Sequence, residues 1–322
     1  MALLVTGAMG HVGQWVARRA AAQGQRVIAA YRTTFRPEAA ASFGGDAVCT
    51  ACDLADPAAV DRIAAEHDID SCIHLAAVSN EAFARPQPLA AVRANVGATA
   101  NLLDVARRRG WRRFVFISTG SVFQSSDGVT PILEDAPPSP ANVYATTKYC
   151  AELLTGMYRS QFGLSSAVVR ISWVYGPPVA TDSPARGPIP AFLRSALAGI
   201  QRRDPSGADF AASFTYVGDA ADGLLAACCA KHLNHGVYHL GPGVNFTAGE
   251  VAAAVRRAVP GAVIELGPGT EPWTAYTKMR GPLAGDRLRA DTGYSMTHGL
   301  DSGIAEYADW MRAQPESRRN KR

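Results

Sequence analysis

The chain has 322 residues, of which 48% are hydrophobic and 19% charged, with a formal net charge of +4. That balance suits one large or two modest folded domains and excludes a disordered or fibrous chain. The small basic excess falls largely in residues 318–322, so no nucleic-acid-binding face is expected.

No apolar run approaches about 18 residues, and the first residues lead straight into a glycine loop without a basic segment or cleavage site. A soluble, cytoplasmic protein with no membrane partner is expected. Runs with strand character then alternate with helical ones: 3–6, 27–31, 47–49, 71–75, 114–118 and 166–171. Alternation of this kind predicts an α/β fold with a doubly wound parallel sheet and right-handed crossovers. Among the intervening helices, one over 57–66 is opened by Asp56 as N-cap with Pro57 behind it, and one over 143–161 is closed by Gly163. Beyond Tyr175 the chain turns Pro- and Gly-rich over 179–190, where a smaller lobe begins. Strand and Ala-rich helix return over 214–240. The expected division is therefore 1–172 plus about 215–240 for the larger lobe, and about 173–214 plus 241–322 for the smaller.

Six cysteines (Cys49, Cys52, Cys72, Cys150, Cys228 and Cys229) are scattered and read as reduced thiols. Cys49 and Cys52 have a redox or metal spacing, but no second pair follows. His232, His235 and His239 flank a turn and a strand whose alternation points them apart. No metal site is expected.

The first strand runs into Thr6-Gly7-Ala8-Met9-Gly10-His11-Val12-Gly13, followed by a helical run over 14–23. Glycines there permit a tight turn, close approach of backbone to a pyrophosphate and packing of helix on strand, with the helix N-terminus facing the phosphates. The same glycines can serve simply as a turn, but their place at the head of an alternating chain favours a dinucleotide, held by the larger lobe. His11 inside the loop either touches a phosphate or is exposed. An acidic residue to bind a ribose 2′-hydroxyl is missing at the end of the second strand, where Tyr31 is followed by Arg32, with Arg36 close by. A guanidinium suits a 2′-phosphate, which favours NADP over NAD; stacking of Arg32 on the adenine would select neither. Asp53, beside Leu54, is placed either to accept from the adenine amino group or to make a turn.

Tyr144 and Lys148 stand four residues apart, one helical turn, on one face. An ammonium beside a phenol favours the phenolate, so the pair can move a proton at neutral pH. The same spacing also arises when an aromatic ring packs on a lysine stem at a solvated surface.

Glycine loop, Asp53-Leu54, His74-Leu75-Ala76-Ala77, Asn95-Val96-Gly97, Ser118-Thr119, Tyr144 and Lys148 follow one another in this order. With Arg170-Ile-Ser-Trp-Val-Tyr175-Gly176-Pro177, Phe214-Thr-Tyr-Val217-Gly-Asp219 and Tyr238-His-Leu-Gly241, the chain resembles the extended short-chain dehydrogenase/reductases, the NAD-dependent epimerase/dehydratase family, over nearly its whole length. The resemblance implies a Rossmann-type sheet with a smaller C-terminal substrate lobe, and a homodimer formed through the helices near 95–108 and 143–161. It implies that Thr119 hydrogen-bonds the reacting oxygen and that Tyr144 gives or takes its proton. Lys148 would lower the tyrosine pKa and grip the nicotinamide ribose. The cofactor set it implies comprises Gly7, Met9, Gly10, His11, Val12, Gly13, Tyr31, Arg32, Asp53 and Leu54. To these it adds Leu75, Ala76 and Ala77 along the pyrophosphate, Ser118, Tyr175, Gly176 and Pro177 near the nicotinamide, and Asn95 as a structural helix residue. Family position puts Ser79, Asn80, Gly120, Ser121, Trp173, Arg186 and Phe192 on the substrate wall; Trp173 and Phe192 read equally well as core.

Two departures from the family pattern bear on the reaction. Nucleotide-sugar members commonly carry an arginine where this chain has Ala212, in Ala212-Ser213-Phe214, which removes a bidentate clamp on a diphosphate. Arg186, Arg280 or Arg287 could substitute. Sugar dehydratases of the family follow the threonine with an Asp-Glu pair, whereas Thr119 is followed by Gly120 and Ser121. The expectation is an NADP(H)-dependent oxidoreductase that interconverts an alcohol and a ketone or aldehyde on a small polar or sugar-like substrate. A sugar 4-epimerase is the alternative, and a non-catalytic dinucleotide sensor is the reading of another class.

Overall fold

The computed structural model describes residues 1–314; the basic run at 318–322 lies outside them. Its central sheet has seven parallel strands: β1 (Ala2–Thr6), β2 (Val27–Tyr31), β3 (Val48–Ala51), β4 (Ile69–His74), β5 (Arg113–Thr119), β6 (Ser166–Ile171) and β7 (Val237–Leu240). They lie in the order β3-β2-β1-β4-β5-β6-β7. The order reverses between β1 and β4, and the crevice at such a switch point is where a doubly wound sheet takes a ligand. β1 is buried along its length, with Leu3 and Val5 in one core and Ala2 and Leu4 in the other, as the period of two requires of a strand covered on both faces.

Helix α1 (His11–Ala22) covers one face; α2 (Pro57–Glu66), α3 (Ala98–Arg109) and α4 (Val143–Phe162) pack on the other. Asp56 caps α2 by accepting from Ala58 N at 3.0 Å, with Pro57 in the first turn. Asn142 caps α4 through Ala145 N, and Gly163, at φ 68°, ends it in the left-handed region. The third strand falls at Val48–Ala51 and not at 47–49, because its register is set by pairing with Ile28 to Tyr31 of β2.

Further along the chain come the longer helices α5 (Pro188–Leu197), α6 (Val217–Cys229), α7 (Ala248–Ala258) and α8 (Leu300–Arg312). Helix α6 packs beside α1, and β7 then adds to the sheet along β6. Helices α5, α7 and α8 pack together, yet Phe192, Tyr307 and Met311 belong to the same buried cluster as Val5 and Val16. One apolar core therefore runs through both parts of the chain. Asp219, on α6, accepts from Thr297 N at 2.9 Å, Thr297 Oγ1 at 2.8 Å and His298 N at 3.0 Å, and so ties the segment before α8 to the sheet side.

A buried ion pair seats α4. Arg170 on β6 donates through Nε and Nη2 to the Glu152 carboxylate, with Nη2 to Oε2 at 2.7 Å, and both side chains are only 4% exposed. Arg170→Leu strands that carboxylate in the core, and chemical denaturation should show a loss of about 3–5 kcal/mol. A loss below about 1 kcal/mol would mean that the pair does not seat the helix.

Candidate active site

A single cavity, lined by Gly7, Tyr31, Thr119, Tyr144, Trp173 and Arg280 among others, runs from the glycine loop across the carboxyl ends of the strands to the smaller part of the chain. Its floor is built by close backbone contact. Gly7 has φ 65°, and a Cβ placed on it would lie 2.9 Å from Ala76 N; one on Gly13 would lie 2.1 Å from Gly7 O. Both positions exclude a side chain. A chain of buried hydrogen bonds holds Leu75 and Ala76 there: Thr6 Oγ1 accepts from both amides at 3.1 Å and donates to His74 Nδ1 at 2.7 Å. His74 Nε2 then donates to Thr99 Oγ1 at 3.1 Å, which donates to Asn95 O at 2.7 Å. Burial, with the charge of Lys148, lowers the His74 pKa to about 3, so the imidazole is neutral, as this relay requires.

These residues fit a dinucleotide on structural grounds. Gly10 caps α1 without a side-chain bond, leaving first-turn amides at the cavity. Ser118 Oγ, buried in the cavity wall, finds no hydrogen-bond partner among the described residues. At the outer end Tyr31, Arg32 and Arg36 line the cavity, with Asp53 and Leu54 beside them. Asp53 Oδ1 accepts from Ala55 N at 3.1 Å and so does make a turn.

Thr119, Tyr144 and Lys148 all line the cavity. Thr119 ends β5, where its hydroxyl accepts from Ser121 N at 3.1 Å and acts on the Tyr144 phenol to lower its pKa. Tyr144 and Lys148 lie on α4, whose first turn is anchored by Glu81 Oε2 accepting from Tyr144 N at 2.9 Å. Burial raises the Tyr144 pKa, against the opposing pull of the Thr119 hydrogen bond and the charges of Arg280 and Arg186. Lys148 Nζ stands 4.1 Å from the centre of the Phe116 ring. Burial takes its pKa down to about 7, against a partial rise from Glu152. The hydroxyl of Thr119 and the charges of the two arginines thus favour the phenolate.

Of the cofactor residues expected from sequence, Gly7, Met9, Gly10, His11, Val12, Gly13, Tyr31, Arg32, Asp53, Leu54, Leu75, Ala76, Ala77 and Ser118 line the cavity. Asn95 is buried away from it: its amide clasps the Val78 backbone, accepting at 2.8 Å and donating at 3.2 Å, and donates to Thr147 Oγ1 of α4 at 2.9 Å. It therefore positions the loop after β4 and helix α4 together. Tyr175, Gly176 and Pro177 also lie behind the wall. His11 Nε2 donates to Gly176 O at 3.0 Å and Trp15 Nε1 to Pro177 O at 2.7 Å, which pins α1 to the second part of the chain. His11 is thus neither exposed nor charged, since burial and the nearby Arg186 lower its pKa to about 3.

Ser79, Asn80, Gly120, Ser121, Trp173 and Arg186 reach the cavity. Phe192 does not; it is fully buried, edge-on to Trp273 at 5.7 Å between ring centres. Arg287 is paired with Asp135, which removes it as a substitute clamp, and Ala212 is buried in a short two-stranded ladder opposite Phe246. Trp273, Tyr276 and Thr277 line the cavity without having been anticipated. They come from a loop without periodicity, where sequence pattern carries no signal.

Lys148→Met removes a desolvated ammonium. In the cofactor-free protein it should raise stability by about 1–3 kcal/mol below pH 7, where the lysine is protonated both folded and unfolded. The gain should fade between pH 7 and 10.5, as the folded wild-type protein sheds the proton that the unfolded chain retains. Thermal melts of both proteins across this range check it; a gain independent of pH would refute the assignment.

The family model described as "NAD dependent epimerase/dehydratase family" matches residues 3–241. A UDP-glucuronate 4-epimerase of Thermodesulfobacterium geofontis is 32% identical over 204 residues, 60% of this chain and 58% of that protein, so the chain spans little more than half of that relative's length. A UDP-glucose 4-epimerase of Mycolicibacterium smegmatis is 27% identical over 315 residues, 97% of this chain and 99% of that protein. Among solved structures, the Thermus thermophilus UDP-glucose 4-epimerase in complex with NAD superposes with a TM-score of 0.84 at 26% identity, covering 97% of this chain and 99% of that one. With a glycine cradle that excludes side chains, a Thr-Tyr-Lys group on one cavity wall and a family match over three-quarters of its length, the chain belongs to the NAD-dependent epimerase/dehydratase family.

Proposed function

We propose that the protein is an NAD(P)-dependent 4-epimerase of a nucleotide-linked sugar, acting through Thr119, Tyr144 and Lys148. The larger part of the chain would hold the dinucleotide and the part containing Trp173, Arg186 and Arg280 the sugar. The observation that carries this reading is the grouping of the threonine, tyrosine and lysine on one cavity wall with Gly120 and Ser121 after the threonine, where elimination chemistry would need an acid. The full-length likeness to 4-epimerases supports it over one-way reduction.

A bound nicotinamide supplies the hydride acceptor and donor. The chain's own residues handle the proton. Thr119 donates toward the Tyr144 oxygen and aligns it on the sugar hydroxyl. Tyr144 Oη takes the hydroxyl proton and returns it to the same oxygen, and a carbinol whose proton is handled at one oxygen can be re-formed on either face. Thr119, Arg280 and Arg186 restrain the rise that burial imposes on the phenol's pKa. Lys148 offers a donor beside it, and the walls of Trp173 and Trp273 exclude water.

A second reading, an NADP(H)-dependent reductase, is favoured by one feature: β2 ends in Tyr31 and Arg32 with no acid, and Arg36 lines the same rim. Purified protein given a nucleotide-sugar should form the C4 isomer without net change at 340 nm; steady consumption of NADPH with a carbonyl panel would select the reductase instead.

Tyr144→Phe should lower turnover at least 1,000-fold and leave dinucleotide affinity within about threefold; a mutant that keeps a tenth of wild-type turnover would remove the tyrosine from the mechanism. Arg32→Asp should weaken NADP more than 10-fold beyond its effect on NAD, and equal effects in titrations would mean that Arg32 does not read a 2′-phosphate. We also propose a homodimer through α4 and the helix before α3. Leu153 and Met157 on α4 and Leu89 and Val92 on Pro88–Val92 are exposed apolar residues that a second copy would cover. Light scattering that gives a clean monomer at micromolar concentration would contradict it.

A further inference from the structure

The cavity holds more positive charge than proton transfer requires. Arg186 and Arg280 both line it, and both bring their charge to the Tyr144 phenol. Burial lowers the pKa of each, to about 10 for Arg280, and the groups that oppose this are phenols: Tyr144 for Arg280, Tyr144 and Tyr307 for Arg186. Neither forms an ion pair with a carboxylate among the described residues. Arg280 donates through Nη1 to Thr277 Oγ1 at 2.7 Å and to the Lys278 carbonyl at 2.9 Å, which fixes the guanidinium and leaves the rest of its fork unused. The cavity's two carboxylates are both engaged: Asp53 by its own turn at the far end, and Glu81 by the Tyr144 amide. Ser121, two residues past Thr119, lines the same wall with its hydroxyl unbonded to any described residue. Two partly buried guanidiniums without a carboxylate partner among the described residues, in a cavity that Ser121 also lines, make a site for an anion.

We propose that Arg186 and Arg280 bind a carboxylate carried on the carbon next to the reacting one, so that the nucleotide-sugar acted on is a uronic acid. This rests on the 4-epimerase reading. The choice between carboxylate and diphosphate follows from ring geometry: in a nucleotide-linked hexose the diphosphate hangs from C1, across the ring from C4, whereas a uronic carboxylate is attached at C5, the neighbour of C4. Charges felt at the phenol that meets the C4 oxygen are therefore placed for the second group. The missing arginine at Ala212 agrees, since the chain lacks the usual diphosphate clamp while adding cations at the reacting end.

The test compares UDP-glucuronate with UDP-glucose, which share the same diphosphate, on the holoprotein. The kcat/KM for the uronate should exceed that for the neutral sugar at least 100-fold, and Arg186→Gln and Arg280→Gln should each lower this ratio about 10–100-fold. Arg186→Lys, which keeps the charge but not the fork, should lower it less and guards against a misfolded glutamine variant. A ratio near one in the wild-type protein, an unchanged ratio in all three variants, or a loss wholly explained by weaker dinucleotide binding would overturn the proposal. Calorimetric titration with the same two ligands reads the subsite without turnover. A uronate preference that falls in the arginine variants upholds the subsite although neither sugar is isomerised, and in that outcome the 4-epimerase reading is what fails; no preference in the titration removes the subsite itself.

Discussion

The placement of one helix governs this site, and a buried ion pair holds that helix. Glu152 lies two turns along α4 from Tyr144 and one from Lys148, so its bond to Arg170 on β6 sets the height of the whole stripe against the sheet. Asn95 fixes the same helix from its other side through Thr147, and also grips the Val78 backbone at the cavity rim. Because these contacts are buried and directional, a small shift of α4 would break charge-assisted bonds in low dielectric. The tyrosine oxygen thereby acquires a fixed address relative to Thr119 at the end of β5.

That rigidity sets the electrostatics. Burial opposes ionisation of both Tyr144 and Lys148, and the fold counters it unequally: the phenol faces a hydroxyl and two guanidiniums, while the ammonium faces an aromatic ring, with Glu152 already committed to Arg170. A lysine brought near neutrality and a phenol whose burial-driven rise is restrained by these partners share one wall of the cavity. The desolvation that makes each group responsive also makes the two arginines effective at a distance at which water would otherwise screen them.

Much of the architecture was legible residue by residue. The strand at Val27–Tyr31, the strand at Ser166–Ile171 and the helix at Pro57–Glu66 could be read to their ends, because an apolar run, a capping aspartate and a proline each carry local information. The glycine cradle and the threonine-tyrosine-lysine set could be read from spacing and order. Tyr175, Gly176, Pro177 and Phe192 lie next to the site in sequence or by family position yet do not line the cavity, because they hold backbone or fill core, whereas Asn95 is the structural helix residue that its position implied. Burial direction in loops and helix joints depends on neighbours distant in the chain.

What residue type and period determined was therefore the doubly wound sheet, the glycine loop and the placing of Tyr144 and Lys148 on one helical face, since each rests on contacts within a few residues or on a single helical turn. Tertiary structure alone decided which charges meet. Arg186 and Arg280 lie 42 and 136 residues beyond Tyr144 and Arg287 lies further still, yet the first two face the phenol and the third is taken by Asp135. No local pattern distinguishes them, because a guanidinium's partner is set by how the loops of the second part of the chain fold over the cavity.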